Sequence, residues 1–255
     1  MIDSKTFPDK AFREYVAKFD TDRDGMFSDE EIVVVDKIDV SGEHVSQLSG
    51  IEIFTALTQL NCSNTSISTA SVTYFDLSKN IALTHLECHD TNINTLDLSN
   101  NFALTYLDCR NCGSYMLNID ISHNTALTYL DCSNNQDLRW MYLGNNNQLS
   151  TLYCDNTSQE IIDIRGCPNL NRSAFRHDEG VRIIDNTTHV DGIEICGLYF
   201  PDDDFRSYIS LHFDTDKNNV LTDEEIAAAK AISLPYKHLW YNLRGIEFFT
   251  SLTYL

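Results

Sequence analysis

Residues 83–101 read Leu83-Thr-His-Leu-Glu-Cys88-His-Asp-Thr-Asn-Ile-Asn-Thr-Leu-Asp-Leu98-Ser-Asn-Asn101. This stretch holds two related phrases, one that ends on a cysteine and one built around Asp-Leu-Ser. Both phrases recur along the middle of the chain, and the cysteines of the first are Cys62, Cys88, Cys109, Cys132 and Cys154. From the centre of each Asp-Leu-Ser-type phrase to the next cysteine the step is always 11 residues. Such a fixed period predicts a chain that coils into stacked structural repeats.

Each cysteine phrase has the alternation of a short strand with one buried side. Successive side chains of an extended chain point to opposite faces, so Leu86 and Cys88 are expected in a core and His85 and Glu87 outside it. Small hydrogen-bonding residues such as Asn101 stand where the chain bends, and they can pair with buried backbone groups there. A single coil cannot bury its apolar edge alone and must stack on its neighbours. The sequence therefore predicts a solenoid made mainly of short parallel strands.

The two phrases resemble the bacterial leucine-rich repeats of 21–22 residues in which LxxLxCxxN is followed by LxxLDLxxN. The resemblance covers about residues 38–170, and Ile38-Asp-Val40 at its start resembles the first repeat of internalin-like proteins. It implies an α/β repeat fold, namely a leucine-rich-repeat solenoid. It also implies a bacterial protein, exported or attached to the cell surface, that binds a partner without transforming it.

An acidic stretch ahead of the repeats, Asp20-Thr-Asp-Arg-Asp-Gly-Met-Phe-Ser-Asp-Glu-Glu31, matches the loop of an EF-hand calcium site. Calcium takes about six to eight oxygen ligands in loose geometry, and this spacing supplies them. Carboxylates packed so closely repel one another unless a cation lies between them. The sequence therefore predicts bound Ca²⁺. The expected ligands are Asp20, Asp22, Asp24, Met26 through its backbone carbonyl, Ser28 and Glu31.

A second acidic loop duplicates the first. Phe200-Pro-Asp-Asp-Asp-Phe205, ahead of this loop, repeats the pattern of Phe7-Pro-Asp-Lys-Ala-Phe12 ahead of the first. Asn219 replaces glycine at the sixth loop position, where the backbone must adopt a positive φ that asparagine tolerates better than most residues. A functional site of lower affinity is therefore expected. Its ligands would be Asp214, Asp216, Asn218, Val220 through its carbonyl, Thr222 and Glu225.

These features predict four segments. Residues 1–37 form an EF-hand-like helical N-cap, residues 38–185 the leucine-rich-repeat solenoid and residues 186–232 a second EF-hand-like cap. Residues 233–255 begin a second, truncated repeat region, because Leu243-Arg-Gly-Ile-Glu-Phe-Phe matches Leu48-Ser-Gly-Ile-Glu-Ile-Phe. An open apolar coil at that end is an aggregation hazard, so the chain is expected to be a fragment of a longer modular protein.

The eight cysteines are expected to be free rather than bridged. Side chains at one repeat position stack at the inter-strand distance, which exceeds the roughly 3.8 Å between the Cβ atoms of a disulfide. Buried thiols that act as small apolar side chains are the better interpretation. Cys109 and Cys112 have the spacing of half a zinc site, but no second pair accompanies them. The states of Cys167 and Cys196 are left open.

Aromatic side chains at outward positions suggest a partner-binding surface. They can stack on sugar rings or anchor a protein interface, although tyrosine also simply favours strands. The candidate residues are His85, Tyr106, Tyr129 and Tyr153 on the cysteine strands, and Trp140 and Tyr142 on another strand. The partner is therefore expected to be an unknown protein or glycan.

Charge and composition argue against several kinds of binding partner. Lysine and arginine number 18 against 38 aspartates and glutamates, so the net charge is −20 and nucleic acid or anionic membrane surfaces are disfavoured. No apolar run approaches the roughly 20 residues of a membrane helix, so no membrane insertion is expected in this segment. The N-terminus lacks the basic region and apolar core of a signal peptide, which is therefore not expected in this chain.

Catalytic motifs are missing from the sequence: it has no glycine-rich phosphate loop, no GxSxG and no HExxH. No catalytic residue is predicted. The sequence predicts a non-enzymatic, calcium-stabilised interaction module that is extracellular or on the bacterial cell surface. Two alternatives stay open, namely a calcium-responsive regulatory or sensor module and a glycan-processing accessory or hydrolase.

Overall fold

The computed structural model describes residues 1–69, 75–113, 116–185, 192–234 and 243–254. The chain divides into two compact units, Met1–Ile183 and Ile184–Leu255. Each unit has its own hydrophobic core. Among the described residues, no helix combines the length and the apolar character that crossing a membrane requires.

The first unit begins with a small helical cap. Helix α1 spans Lys10–Val16 and continues into a 3-10 turn at Ala17–Phe19, and α2 spans Asp29–Ile32. The Asp9 side chain accepts a hydrogen bond from the Phe12 amide and so starts α1, as N-cap residues do. The cap is joined to the repeats by an aromatic cluster of Phe7, Phe12, Phe19, Phe27 and Phe54.

A seven-stranded parallel sheet runs through the first unit. The strands are β1 (Lys37–Asp39), β2 (Gln59–Asn61), β3 (His85–Glu87), β4 (Tyr106–Asp108), β6 (Tyr129–Asp131), β8 (Thr151–Tyr153) and β10 (Phe175–Arg176). Strands of successive cysteine phrases pair so that equivalent positions are neighbours, and Leu86, Leu107 and Leu130 therefore lie side by side. The prediction of a parallel-strand leucine-rich-repeat solenoid is confirmed.

The Asp-Leu-Ser phrases form smaller sheets. They contain β5 (Asn118–Asp120) paired with β7 (Trp140–Tyr142), and β9 (Ile161–Asp163) paired with β11 (Arg182–Ile184). Between the two kinds of strand, the leucines of the cysteine phrases and the five repeat cysteines are fully buried. All eight cysteines of the chain are free.

Buried asparagines connect successive coils at the bends. Asn80, Asn101, Asn124 and Asn146 are completely buried. Each side-chain NH₂ group donates to two backbone carbonyls; that of Asn101, for example, reaches the oxygens of Leu77 at 3.1 Å and Asn80 at 2.9 Å. These bonds satisfy carbonyls that would otherwise be buried without a partner.

The second unit repeats the cap. It contains β12 (Ile193–Glu194) antiparallel to β13 (Val220–Leu221), helix α3 (Asp203–His212), helix α4 (Asp223–Ala228) and a 3-10 turn at Ile246–Phe248. Of the expected second repeat region 233–255, residues 235–242 and 255 lie outside the described residues. The division of the chain into four segments therefore stays a prediction.

Candidate functional site

Three aromatic side chains line up on the exposed side of the seven-stranded sheet. The register places His85, Tyr106 and Tyr129 side by side on β3, β4 and β6, and all three are half-buried. The His85 and Tyr106 rings lie 4.1 Å apart at an interplanar angle of 9°, and the Tyr106 and Tyr129 rings lie 4.5 Å apart at 4°. We call these three residues the aromatic row.

Tyr153 lies beside the aromatic row rather than in it. It occupies the fifth position of its phrase, so the register places it opposite Asp131, while Thr151 stands opposite Tyr129. Its ring meets that of Tyr129 edge-on at 5.8 Å and 84°. The guanidinium carbon of Arg176 lies 3.7 Å from the centroid of the Tyr153 ring. The structure thus brings four of the predicted aromatic residues together on one face.

A second row of side chains, two residues further along the same strands, is acidic. We call Glu87, Asp108 and Asp131 the acidic row. Asp108 and Asp131 are only 2 % and 4 % exposed, although the strand alternation places them on the outward side. Arg110 forms an ion pair with Asp108 and lies 3.7 Å from Asp131, which allows both carboxylates to be buried.

Burial also changes the titration of this face. It raises the pKa of Asp108, an effect that the Arg110 backbone hydrogen bond and charge oppose. It likewise raises the pKa of Tyr106 and of Tyr129, and the neighbouring carboxylates add to both shifts. The tyrosines therefore remain protonated across the physiological range and present hydroxyl groups.

Trp140 and Tyr142 belong to a different surface, on β7 of the β5–β7 sheet. Trp140 is half-buried, but Tyr142 is only 8 % exposed. Tyr142 is two residues from Trp140 and so lies on the same face of the strand, but it offers little surface to a partner. The six predicted partner-binding residues are thus split between two sheets.

The first acidic loop gathers three of its predicted ligands. Asp20, Asp22 and Asp24 each offer a carboxylate oxygen, and these oxygens all lie within 4.8 Å of one another. Within the described part of the chain, the buried Oδ1 of Asp20 has no hydrogen-bond partner. The Met26 amide donates to Asp24 at 2.7 Å. A hard, all-oxygen donor set with an unpaired buried oxygen fits Ca²⁺.

Glu31 is not one of the three converging carboxylates. It accepts hydrogen bonds from the amide and hydroxyl of Thr21, at 2.5 and 2.8 Å, and from the amide and hydroxyl of Ser28, both at 3.0 Å. These bonds, the Ser28 amide foremost, lower the pKa of Glu31 to about 2. Ser28 is at the same time the N-cap of α2. Both residues thus fix the shape of the loop.

The second loop has the same construction with different converging groups. Asp214, Asp216 and Glu225 offer oxygens that lie within 4.8 Å of one another. Several hydrogen bonds lower the pKa of Glu225 to about 2, and the bond from the Thr215 hydroxyl has the largest effect. Asn219 has φ +62°, as its position in the loop predicted.

The other predicted ligands of the second loop lie on elements around this group. The Asn218 amide donates to Asp214 at 3.1 Å. Val220 begins β13, and Thr222 is the N-cap of α4.

Two arginines of the sheet face were not found from the sequence. Arg110 forms an ion pair with Asp108 of the acidic row, and Arg176 lies over the ring of Tyr153. Arg110 follows Asp108 by two residues, so the outward alternation of the strand carries the signal. What the sequence does not show is that one guanidinium serves carboxylates on two neighbouring strands.

Comparison with known proteins gives one family. The family model of the endo-β-N-acetylglucosaminidase EndoS leucine-rich-repeat domain matches residues 7–135, about half of the chain. None of the curated proteins compared with the chain matches it.

Solved structures give further similarities. The functional domain of InlJ from Listeria monocytogenes, which includes a cysteine ladder, has 29 % identity and a TM-score of 0.50. That match covers 74 % of this chain and 44 % of the InlJ domain, so this chain spans less than half of it. The internalin InlF of the same species has 19 % identity and a TM-score of 0.42 over 99 % of this chain and 89 % of that one. Internalin C2 of Listeria monocytogenes has 18 % identity and a TM-score of 0.43, and the match covers 66 % of this chain and 83 % of that one.

Proposed function

The chain belongs to the family of the EndoS leucine-rich-repeat domain, and from this membership we propose that it is a non-enzymatic interaction module. In this proposal the exposed side of the seven-stranded sheet binds a protein or a glycan, and calcium stabilises the caps. The observation that carries the proposal is the aromatic row, which continues over three adjacent strands without interruption. Aromatic residues in the centre of a surface are typical anchors of interfaces.

The acidic row supports binding over hydrolysis. A glycan hydrolase needs two accessible carboxylates on either side of a substrate bond. Asp108 and Asp131 are buried and share Arg110, and Ser133 donates to Asp131 through its amide at 3.0 Å and its hydroxyl at 2.6 Å. These groups are therefore used to hold adjacent strands together.

The loops support a structural role for calcium over a sensor role. Asp20, Asp22 and Asp24 would hold the ion in the first loop. The four hydrogen bonds of Glu31 already fix the loop, so an ion can bind without a rearrangement that would signal its presence. Calorimetric titration with calcium, combined with X-ray scattering before and after chelation, distinguishes the two roles. A sensor would bind near micromolar calcium and change shape.

The location of the module follows from the same considerations. The repeats resemble internalin repeats, and the similar functional domain of InlJ is from a bacterium. Calcium loops with the structural role proposed here suit surroundings where calcium is about millimolar, as it is outside cells. We therefore place the module in the extracellular space or on a bacterial surface.

The test of the proposed binding face uses immobilised protein and a panel of purified surface proteins and glycans. For any binder found, Tyr106→Ala, Tyr129→Ala and Tyr153→Ala should each weaken affinity, about tenfold for a central anchor. Trp140→Ala, on the other sheet, is the matched control and should leave affinity unchanged. Equal affinities of all four variants for every binder would remove this face from consideration.

A further inference from the structure

The rings of the aromatic row cover one another instead of lying open. Strand β4 is between β3 and β6, so His85 and Tyr129 stack on opposite faces of Tyr106, at 4.1 and 4.5 Å. A sugar that stacks on an aromatic side chain contacts the face of the ring, where the π-electron density lies. Tyr106, at the centre of the row, offers no open face for such a contact.

The other two tyrosines of this face are also partly covered. Tyr106 occupies one face of Tyr129, and the Arg176 guanidinium lies over the ring of Tyr153. Because the stacked rings are nearly parallel, their normals run along the row from strand to strand. The row therefore presents ring edges and hydroxyl groups, which suit the side chains and backbone of a polypeptide better than the flat side of a sugar ring.

The acidic row carries more negative charge than its surroundings balance. Asp108 and Asp131 share one guanidinium, that of Arg110. The Glu87 side chain keeps 30 % of its surface exposed and pairs with His85 at 3.0 Å. Arg176, the other arginine described on this face, pairs with Asp155 and covers the Tyr153 ring. Glu87 is therefore the carboxylate of the acidic row that a cationic partner can reach.

The charge of the whole chain acts in the same direction. A net charge of −20 repels anionic glycans, and it also repels a second copy of this chain. It attracts cationic partners from a distance and raises their association rate. Among possible occupants of the sheet face, a basic polypeptide has the complementary charge and does not need an open ring face.

We infer that the sheet face binds a basic polypeptide segment whose lysine or arginine side chains pair with Glu87, the member of the acidic row that keeps exposed surface. The alkyl parts of those side chains pack against the ring edges of the aromatic row, as long cationic side chains do on apolar surfaces. This inference rests on the proposed function and names the class of partner for the same face.

The test measures binding of a synthetic arginine-containing peptide to the full chain by fluorescence anisotropy at low salt. A peptide with glutamine in place of arginine and a panel of neutral glycans are measured in parallel. Glu87→Gln should weaken binding of the basic peptide about threefold to fivefold, as for a partly exposed ion pair. Gln59→Lys, which adds a positive charge beside His85 on an exposed position of β2, should weaken it as well.

The control variant is Glu14→Gln, which removes the same charge from an exposed position on α1 and should leave binding unchanged. Equal effects of Glu14→Gln and Glu87→Gln would overturn the inference, because only net charge would then matter. No binding of the basic peptide would overturn it too. A neutral glycan that binds in a Tyr129-dependent way would overturn the basic-partner inference and at the same time support the proposed function.

Discussion

Gln159 occupies a core position that other coils fill with aliphatic side chains. It follows Cys154 by five residues, as Ile67 follows Cys62 and Ile93 follows Cys88. The isoleucines are fully buried, and Gln159 is only 5 % exposed. Within the described residues, neither the nitrogen nor the oxygen of its amide has a hydrogen-bond partner. A buried amide of this kind costs about 1–3 kcal/mol.

Gln159→Leu should therefore raise the free energy of unfolding by about 1–3 kcal/mol, measured by urea denaturation. The leucine removes the unpaired polar atoms and keeps roughly the same volume. Ile93→Gln is the matched reverse change and should lower stability, since it places the same amide at the equivalent position. A Gln159→Leu variant that is less stable than the unmodified protein would show that the amide has a partner.

The bends show how far single residues specify the backbone. The second residue after each repeat cysteine adopts a positive φ, and these residues are Asn64, Asp90, Asn111, Asn134 and Asn156, with φ between 50° and 60°. Asparagine and aspartate are the non-glycine residues that tolerate this conformation best. The sequence thus contains the signal for each bend at the bend itself.

At the scale of the strand, the repeat cysteines form one inward column. Cys62, Cys88, Cys109, Cys132 and Cys154 are all completely buried. Burial raises the pKa of the repeat-cysteine thiols far above the ordinary value of 9.0; for Cys88 the hydrogen bond with Cys112 is the larger cause. Burial also raises the pKa of Cys167, to about 11. Folding therefore holds these thiols in the neutral form.

Stability should fall as the pH rises above about 9. A group whose pKa is higher in the folded state contributes stability that is present below its unfolded pKa and is lost above it. Between pH 9 and 10 each buried thiol should contribute a loss of up to about 1.4 kcal/mol per pH unit. Urea denaturation at pH 8, 9 and 10 measures the slope.

The control for the cysteine column is Cys132→Val, which removes one titrating thiol. In this variant the free energy of unfolding should fall less steeply with pH, by the contribution of one thiol. Native thiols should also react slowly with Ellman's reagent at pH 8 and rapidly after unfolding. A flat stability profile from pH 8 to 10 would contradict the burial of the column.

The calcium loops allow a prediction for the caps. Chelation should lower the melting temperature, because calcium binds only the folded loop; an ion at one hundred times its Kd contributes about 2.7 kcal/mol. Asp20→Asn should reduce the effect of chelation, since Asp20 carries the unpaired buried oxygen. Asp36→Asn, at an exposed position outside the loop, should retain the full effect. Identical melts with and without chelator would show that the caps do not depend on metal.

The sequence predicts the features of these elements that are set within one coil, and it does not predict those that depend on contacts between coils. Strand positions, inward cysteines and the parallel register depend on spacing within one coil, and the spacing is visible in the sequence. The stack of His85, Tyr106 and Tyr129 and the burial of Asp108 depend on contacts between coils. Such contacts require knowing which side chains of neighbouring coils approach each other, and residue type alone does not give that.

At the scale of the molecule, the two units share the same set of contacts. Arg13 donates to the carbonyl of Phe7 at 2.6 Å, and Arg206 donates to that of Phe200 at 2.7 Å. The hydroxyl of Tyr15 accepts from the Asp39 amide, and that of Tyr208 accepts from the Ser233 amide. In the first unit this bond occupies an amide of the edge strand β1, which protects the edge from pairing with another chain. The similarity between the two units in sequence therefore extends to individual hydrogen bonds.

A matched pair of glycines tests whether the two units are separate in stability. Gly50 and Gly245 have φ of +100° and +97°, and a Cβ atom at either would collide with the ring of Phe7 or Phe200. Gly50→Ala and Gly245→Ala should therefore each destabilise their own unit by about 1–3 kcal/mol. Because each unit has its own core, calorimetry should resolve two transitions, of which each variant shifts a different one. If both variants shifted one shared transition, the two cores would unfold as a single cooperative body.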